Sequence, residues 1–249
     1  MKIAVFNFIL FLCTIALTAQ DMIETRKFEH DFGGYDNILK EAELGNAEAQ
    51  FQLGVISFFL SEEDRLNESM KRIAEQDGFN WHKKSANQGH ALAQAELAYC
   101  YLSGVGTLMD KKQAFYWYKK SAEQGIALAQ LNVAIMYDEG VGTLMDKKQA
   151  FYWYKKSAEQ GMAKAQFYVG EFYYYGKGTL MDKKQAFYWY KKSAEQGIAA
   201  AQYTVGMMCI HGFGTMEDKK EAAIWIRKSY ENGYEDAKLL WEKYELYNF

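Results

Sequence analysis

The sequence predicts an all-α chain built as a solenoid of helix pairs, and three observations carry that prediction. The string GTLMDKKQAFYWYKKSAEQG occurs three times without a substitution, at residues 106–125, 142–161 and 178–197, which sets a period of 36 residues. Fixed self-similarity of this length marks a repeat array whose units bury their apolar faces against one another. The period outlasts the identical copies: Trp81, Trp117, Trp153, Trp189 and Trp225 follow at 36-residue steps, as do Gly89, Gly125, Gly161, Gly197 and Gly233. The 249 residues include no proline, the residue that removes a helical donor and clashes with the preceding turn.

Taken in chain order, residues 1–20 read as an export signal. Met1 and Lys2 precede the apolar run Ile3 to Leu17, and Leu17-Thr18-Ala19-Gln20 offers a cleavage point after Ala19 or Gln20. An uncleaved anchor is the rival reading, but Ile3 to Ala19 holds only 17 residues, among them Asn7, Thr14 and Thr18. A spanning helix needs about 20 apolar residues. Cys13 lies in this leader, yet Leu10-Phe11-Leu12 before it lacks the small residues of a lipoprotein signal. The expected location is periplasmic or secreted, with no stable membrane insertion once the signal is removed.

Residues 21–44 form an N-terminal cap, in which Ile38 to Leu44, with KEAELG resembling KSAEQG, reads as an orphan second helix. Five repeats are expected over 45–232. Gly45 stands 44 residues before Gly89, so the first repeat carries eight extra residues around Ser61 to Gln76. Residues 233–249 hold a single helix, in which Glu242 takes a position that is small in every repeat; a charge there suits a terminal cap.

Within a repeat, Ile126 to Tyr137 places Ala129, Val133, Ala134 and Tyr137 on one helical face and is helix A. Gly140 and Gly142 break it. Asp146 followed by Gln149 has the form of a capping box opening helix B, Lys147 to Gln160, whose apolar positions are Ala150, Trp153, Tyr154, Ser157 and Ala158. Gly161 then supplies the left-handed residue that stops it. Helices this short gain their stability from neighbours, with the tryptophans as core. Nine residues after each repeat glycine stand Gly54, Ala98, Ala134, Gly170 and Gly206, so helices A and B must touch there.

Charge and cysteines exclude several functions. The net charge of -3 and the acidic residues beside each lysine pair leave no nucleic-acid footprint. Cys100 and Cys209 lie about three repeats apart, too far for a disulfide, and occupy core positions. His30, His82, His90 and His211 share no metal-ligand spacing, and HExxH, CxxC and phosphate-loop motifs are absent. No catalytic residue, metal or cofactor is expected, and the chain does not read as an enzyme.

The pattern A-x-A-Q-x-x-[LV]-[AG]-x-x-Y, G-x-G-T, D-x-x-x-A-x-x-W-Y-x-K-S-A-E-Q-G, carried by Ala127 to Gly161, resembles the Sel1-like repeat family of the tetratricopeptide-like superfamily. The resemblance covers about residues 45–249. It implies a right-handed α–α superhelix of antiparallel helix pairs whose helices A line a concave surface that binds proteins or peptides. It also implies, as alternatives, a periplasmic immunity protein that neutralises a toxin, or a β-lactam hydrolase of the cysteine-rich type, whose cysteine pairs this chain lacks.

Identical segments cannot tell partners apart, so specificity is expected in the unequal helices A. A second stripe on them, at positions 3, 6, 10 and 13 after the repeat glycine, holds Leu92, Ala95, Tyr99 and Leu102, then Leu128, Leu131, Ile135 and Asp138. It continues with Lys164, Phe167, Glu171 and Tyr174, then Ala200, Tyr203, Met207 and Ile210. A surface this apolar suits a protein or peptide partner, the competing reading being burial by tight curvature or by self-association.

Overall fold

The computed structural model describes residues 35–62 and 66–248, and the expected export signal lies outside them. Among the described residues there are twelve α-helices and no strand. Helix α1 (Tyr35–Glu43) precedes five antiparallel A–B pairs. These are α2 (Ala47–Ser61) with α3 (Glu68–Asn87), α4 (Ala91–Ser103) with α5 (Lys111–Glu123), and α6 (Ala127–Glu139) with α7 (Lys147–Glu159). Next come α8 (Ala163–Tyr175) with α9 (Lys183–Glu195) and α10 (Ala199–His211) with α11 (Lys219–Glu231). Helix α12 (Asp236–Lys243) and a 3-10 turn at Leu246–Asn248 close the chain.

The chain divides into two compact units, one ending at Trp117 and the other beginning at Tyr118 within α5. In the first, Ala42 of α1 packs with Ala49, Leu53 and Ile56 of α2, so the orphan helix covers the first pair. A second cluster joins Phe79 and Ala86 of α3 to Ala93, Leu97 and Cys100 of α4. The eight extra residues of this first repeat lengthen its helices: α2 has 15 residues and α3 has 20, where every helix from α4 to α11 has 13. In the second unit, buried residues of α9, α10 and α11 form one cluster with Ala237, Leu240 and Leu246.

The motif residues have physical jobs. Asp146 accepts from the amides of Lys148 and Gln149 at 2.9 and 3.0 Å, and Asp182 and Asp218 repeat this at α9 and α11. The expected capping box is only half formed, because the Asp146 amide donates to the Tyr137 carbonyl at 2.9 Å and needs nothing from Gln149. The small column is an A–B contact: a Cβ on Gly170 would stand 2.7 Å from the Tyr190 ring, and one on Gly206 would stand 2.5 Å from Ile226. In the first repeat Gly54 faces the His82 ring in the same way.

One device was not legible as such. The glutamine of each A-x-A-Q motif is buried, and in four of the repeats it is bonded on both sides. Gln166 donates to the Ala158 carbonyl at 3.2 Å and accepts from Gln196 at 2.8 Å, and Gln50, Gln130 and Gln202 are held in the same manner. The serine of each SAEQG motif completes the link: Ser157 donates to the Ala127 carbonyl and Ser193 to the Ala163 carbonyl, both at 2.8 Å. Cys100 and Cys209 are free and buried, and burial pushes each thiol up to about 12, far from the reactive thiolate.

Candidate functional site

The stripe on helices A is a second layer laid on the core rather than a bare surface. In the second unit Phe167, Tyr174, Tyr203 and Met207 are half-buried, each packing one face on the core. Ile135, Asp138 and Glu171 are half-buried as well, while Leu128 and Lys164 are exposed. Two expected partner-binding residues are not on this surface: Leu131 and Ile210 are each only 4% exposed and belong to the core. Both sit where the stripe turns toward the neighbouring helices, so an apolar side chain there is covered. In the first unit Leu92 and Tyr99 are exposed, Leu102 is half-buried and Ala95 is buried.

The chemistry of the second unit concentrates around α8. Lys164, Phe167, Glu171 and Tyr174 lie three and four residues apart and share one face. The rings of Phe167 and Tyr174 stand 5.4 and 6.4 Å from the ring of buried Tyr190 on α9, so helix B supports the helix-A face from beneath. Tyr168 stacks on Tyr154 at 4.7 Å, and Tyr203 meets Tyr234 at 5.0 Å. The amine of Lys183 lies 3.0 Å above the Tyr174 ring and 3.1 Å from the Tyr174 carbonyl oxygen, and burial draws its pKa down.

Two carboxylates sit in this aromatic surround and fare differently. Asp138 is neutralised by Lys147, whose amine lies 2.5 Å from the carboxylate and 2.7 Å from the Asp138 carbonyl. Glu171 has no hydrogen-bond or ion-pair partner among the described residues. Burial raises its pKa above the ordinary value; the more distant Lys177 opposes this, and Asp138 adds to it. The phenols of Tyr154, Tyr168 and Tyr190 are pushed up by burial first and then by acidic neighbours that include Glu171. The carboxylate therefore stands in an aromatic surround with no cation within ion-pair distance among the described residues.

The histidines are committed elsewhere. His90 caps α4, its Nδ1 accepting from the Ala93 amide at 3.1 Å, with Glu48 2.9 Å from its Nε2. His82 is buried with both ring nitrogens unbonded, and exposed His211 stacks on Phe213. His30 lies outside the described residues. Among those residues no cluster of three or more His, Cys, Asp or Glu side chains is placed to hold a metal ion.

A model of the Sel1 repeat matches five consecutive segments, residues 47–90, 91–126, 127–162, 163–198 and 199–234. The chain belongs to the Sel1 repeat family. Among solved structures it is similar to a protective antigen of uropathogenic Escherichia coli with an SLR fold, at 33% identity and a TM-score of 0.75 over 83% of this chain and 42% of that one. It is also similar to a Sel1 repeat protein from Oxalobacter formigenes, at 30% identity and a TM-score of 0.70 over 83% of this chain and 58% of that one. The chain thus spans less than two thirds of the length of either. No curated protein matches it in sequence. Within the Sel1 repeat frame, the supporting tyrosines Tyr154 and Tyr190 come from helix B, where the sequence shows them only as core.

Proposed function

We propose that this Sel1 repeat scaffold binds a protein or peptide through the helix-A face of its second unit, and that the bound segment presents a basic side chain flanked by apolar ones. The observation that carries the reading is Glu171, a half-buried carboxylate beside Phe167 and Tyr174 that has no hydrogen-bond or ion-pair partner among the described residues. A guanidinium or ammonium group entering there gains a charge-assisted hydrogen bond and an aromatic face together. Neighbouring Tyr203 and Met207 offer the adaptable apolar contacts common at binding surfaces.

The apolar leader at 1–20 supports a role outside the cytoplasm, as an adaptor in envelope or secreted processes. Sequencing the N-terminus of the chain recovered from a periplasmic fraction tests that part, and a chain that still begins at Met1 counts against it.

The binding reading is tested by selecting a random peptide library on the chain. Enriched peptides should carry Arg or Lys beside aromatic or aliphatic residues, and should lose binding to a Phe167→Ala, Tyr203→Ala double variant that keeps its helical content. Absence of enrichment, or peptides indifferent to these substitutions, contradicts the proposal.

A further inference from the structure

The turns from helix A to helix B carry the most exposed apolar side chains of the second unit, and the helix-A face does not use them. Leu144, Leu180 and Met216 are 87%, 88% and 86% exposed, and Met145 and Met181 beside the first two are exposed as well. Side chains this exposed contribute nothing to the core, and their recurrence on successive turns is what needs a partner.

The backbone lines the turns up. Gly178 approaches the Lys147 carbonyl so closely that a methyl group there would collide with it, and Gly214 meets the Lys183 carbonyl in the same manner. Each turn therefore rests on the first turn of the preceding helix B, about one helix diameter, roughly 10 Å, away. The tips follow one another along a single edge. Four residues after each tip comes an exposed lysine, Lys148, Lys184 or Lys220, while Asp146, Asp182 and Asp218 turn their carboxylates onto helix amides; the third turn also exposes Glu217.

We propose that this edge of the second unit docks on an anionic lipid surface, the Leu and Met tips entering the headgroup region and the lysines meeting lipid phosphates. Three observations select a bilayer over a protein. The side chains project singly, and a bilayer accepts a projecting Leu or Met without the matching pocket that a protein anchor requires. An apolar tip recurs at even steps, as Leu-Met in the first two turns and as Met216 before an exposed Glu217 in the third, which suits a partner that is the same everywhere along its surface. Each exposed lysine opens the helix that follows its tip, near enough in sequence to meet the headgroups. No described helix is long and apolar enough to cross a membrane, so the contact is with its surface.

A full chain with Cys13→Ser and Leu180→Cys has one accessible thiol, because Cys100 and Cys209 are buried. An environment-sensitive fluorophore on that thiol should shift to the blue and become shielded from an aqueous quencher when vesicles of equal parts phosphatidylcholine and phosphatidylglycerol are added. Vesicles of phosphatidylcholine alone should act more weakly. Adding Leu144→Glu and Met216→Glu should abolish the shift without changing the melting temperature. Emission that ignores anionic vesicles, or a shift that survives those two substitutions, overturns the proposal. A shift that appears without vesicles and grows with protein concentration also overturns it, in favour of a second copy on this edge.

Discussion

Helices α7 and α9 have the same sequence and bury the same five positions, Ala150, Trp153, Tyr154, Ser157 and Ala158 in one and Ala186, Trp189, Tyr190, Ser193 and Ala194 in the other. Helices α6, α8 and α10 beside them share only what packing demands. Their buried residues Ala129, Gln130, Val133 and Ala134 recur as Ala165, Gln166, Val169 and Gly170, then as Ala201, Gln202, Val205 and Gly206. At the second stripe they diverge, from Leu128, Leu131, Ile135 and Asp138 to Lys164, Phe167, Glu171 and Tyr174. One frame thus carries two kinds of surface: an edge of closely similar turns, fit for a partner without a sequence, and a face of unequal helices, fit for a partner with one.

The helix-B column is broken in the first repeat. His82 holds in the first repeat the position that Tyr154 and Tyr190 hold in the copies, is fully buried, and has its pKa lowered to about 4 by burial first and by His90 second. The fold therefore holds the neutral ring. Stability is present above the ordinary value near 6.5 and is lost as pH falls toward 4, by about 3 kcal/mol in all. Urea denaturation across that window should show the loss, and His82→Tyr, facing Gly54 as Tyr190 faces Gly170, should flatten it.

Gly170→Leu attacks a point at which every helix A of the repeats keeps to Gly or Ala. It drives a side chain into the Tyr190 ring and should destabilise by about 1–3 kcal/mol, read as a lower denaturation midpoint. Gln166→Leu tests the buried amide ladder. It strips a partner from the Ala158 carbonyl and from Gln196, and should lose about 1–2 kcal/mol by the same measurement.

The smallest effect on stability should come with a large effect on binding. The folded-state pKa of Glu171 is raised, so the fold disfavours its charged form, and stability rises as pH falls through that pKa. Glu171→Gln should therefore leave the chain slightly more stable at neutral pH while weakening a selected basic peptide about tenfold or more. A residue kept only for packing would not separate the two readouts in this direction.

The fold was legible because repetition multiplies a weak signal. One Trp or one Gly-x-Gly says little, but five tryptophans at equal steps fix helix, turn and register. Gly54, Gly170 and Gly206 revealed the A–B contact for the same reason. The site was only partly legible. Helical spacing placed Phe167, Glu171 and Tyr174 on one face, but it could not show that Leu131 and Ile210 on the same stripe are covered by neighbouring helices. Nor could it show that the Asp146 amide is spent on Tyr137, or that Lys147 neutralises Asp138 and leaves Glu171 alone. Those outcomes depend on which side chain of another element arrives first, and spacing within one helix does not record it.

The most direct test exchanges one unequal helix for another. Because α7 and α9 are identical, writing the α6 sequence Ala127–Glu139 into α8 at Ala163–Tyr175 sets its buried residues against a helix B of the same sequence, with alanine replacing Gly170 opposite Tyr190. The graft should unfold within about 1 kcal/mol of the parent, yet no longer bind a peptide selected on the parent. A graft that folds and binds that peptide with unchanged affinity would contradict the claim that the unequal helices carry recognition.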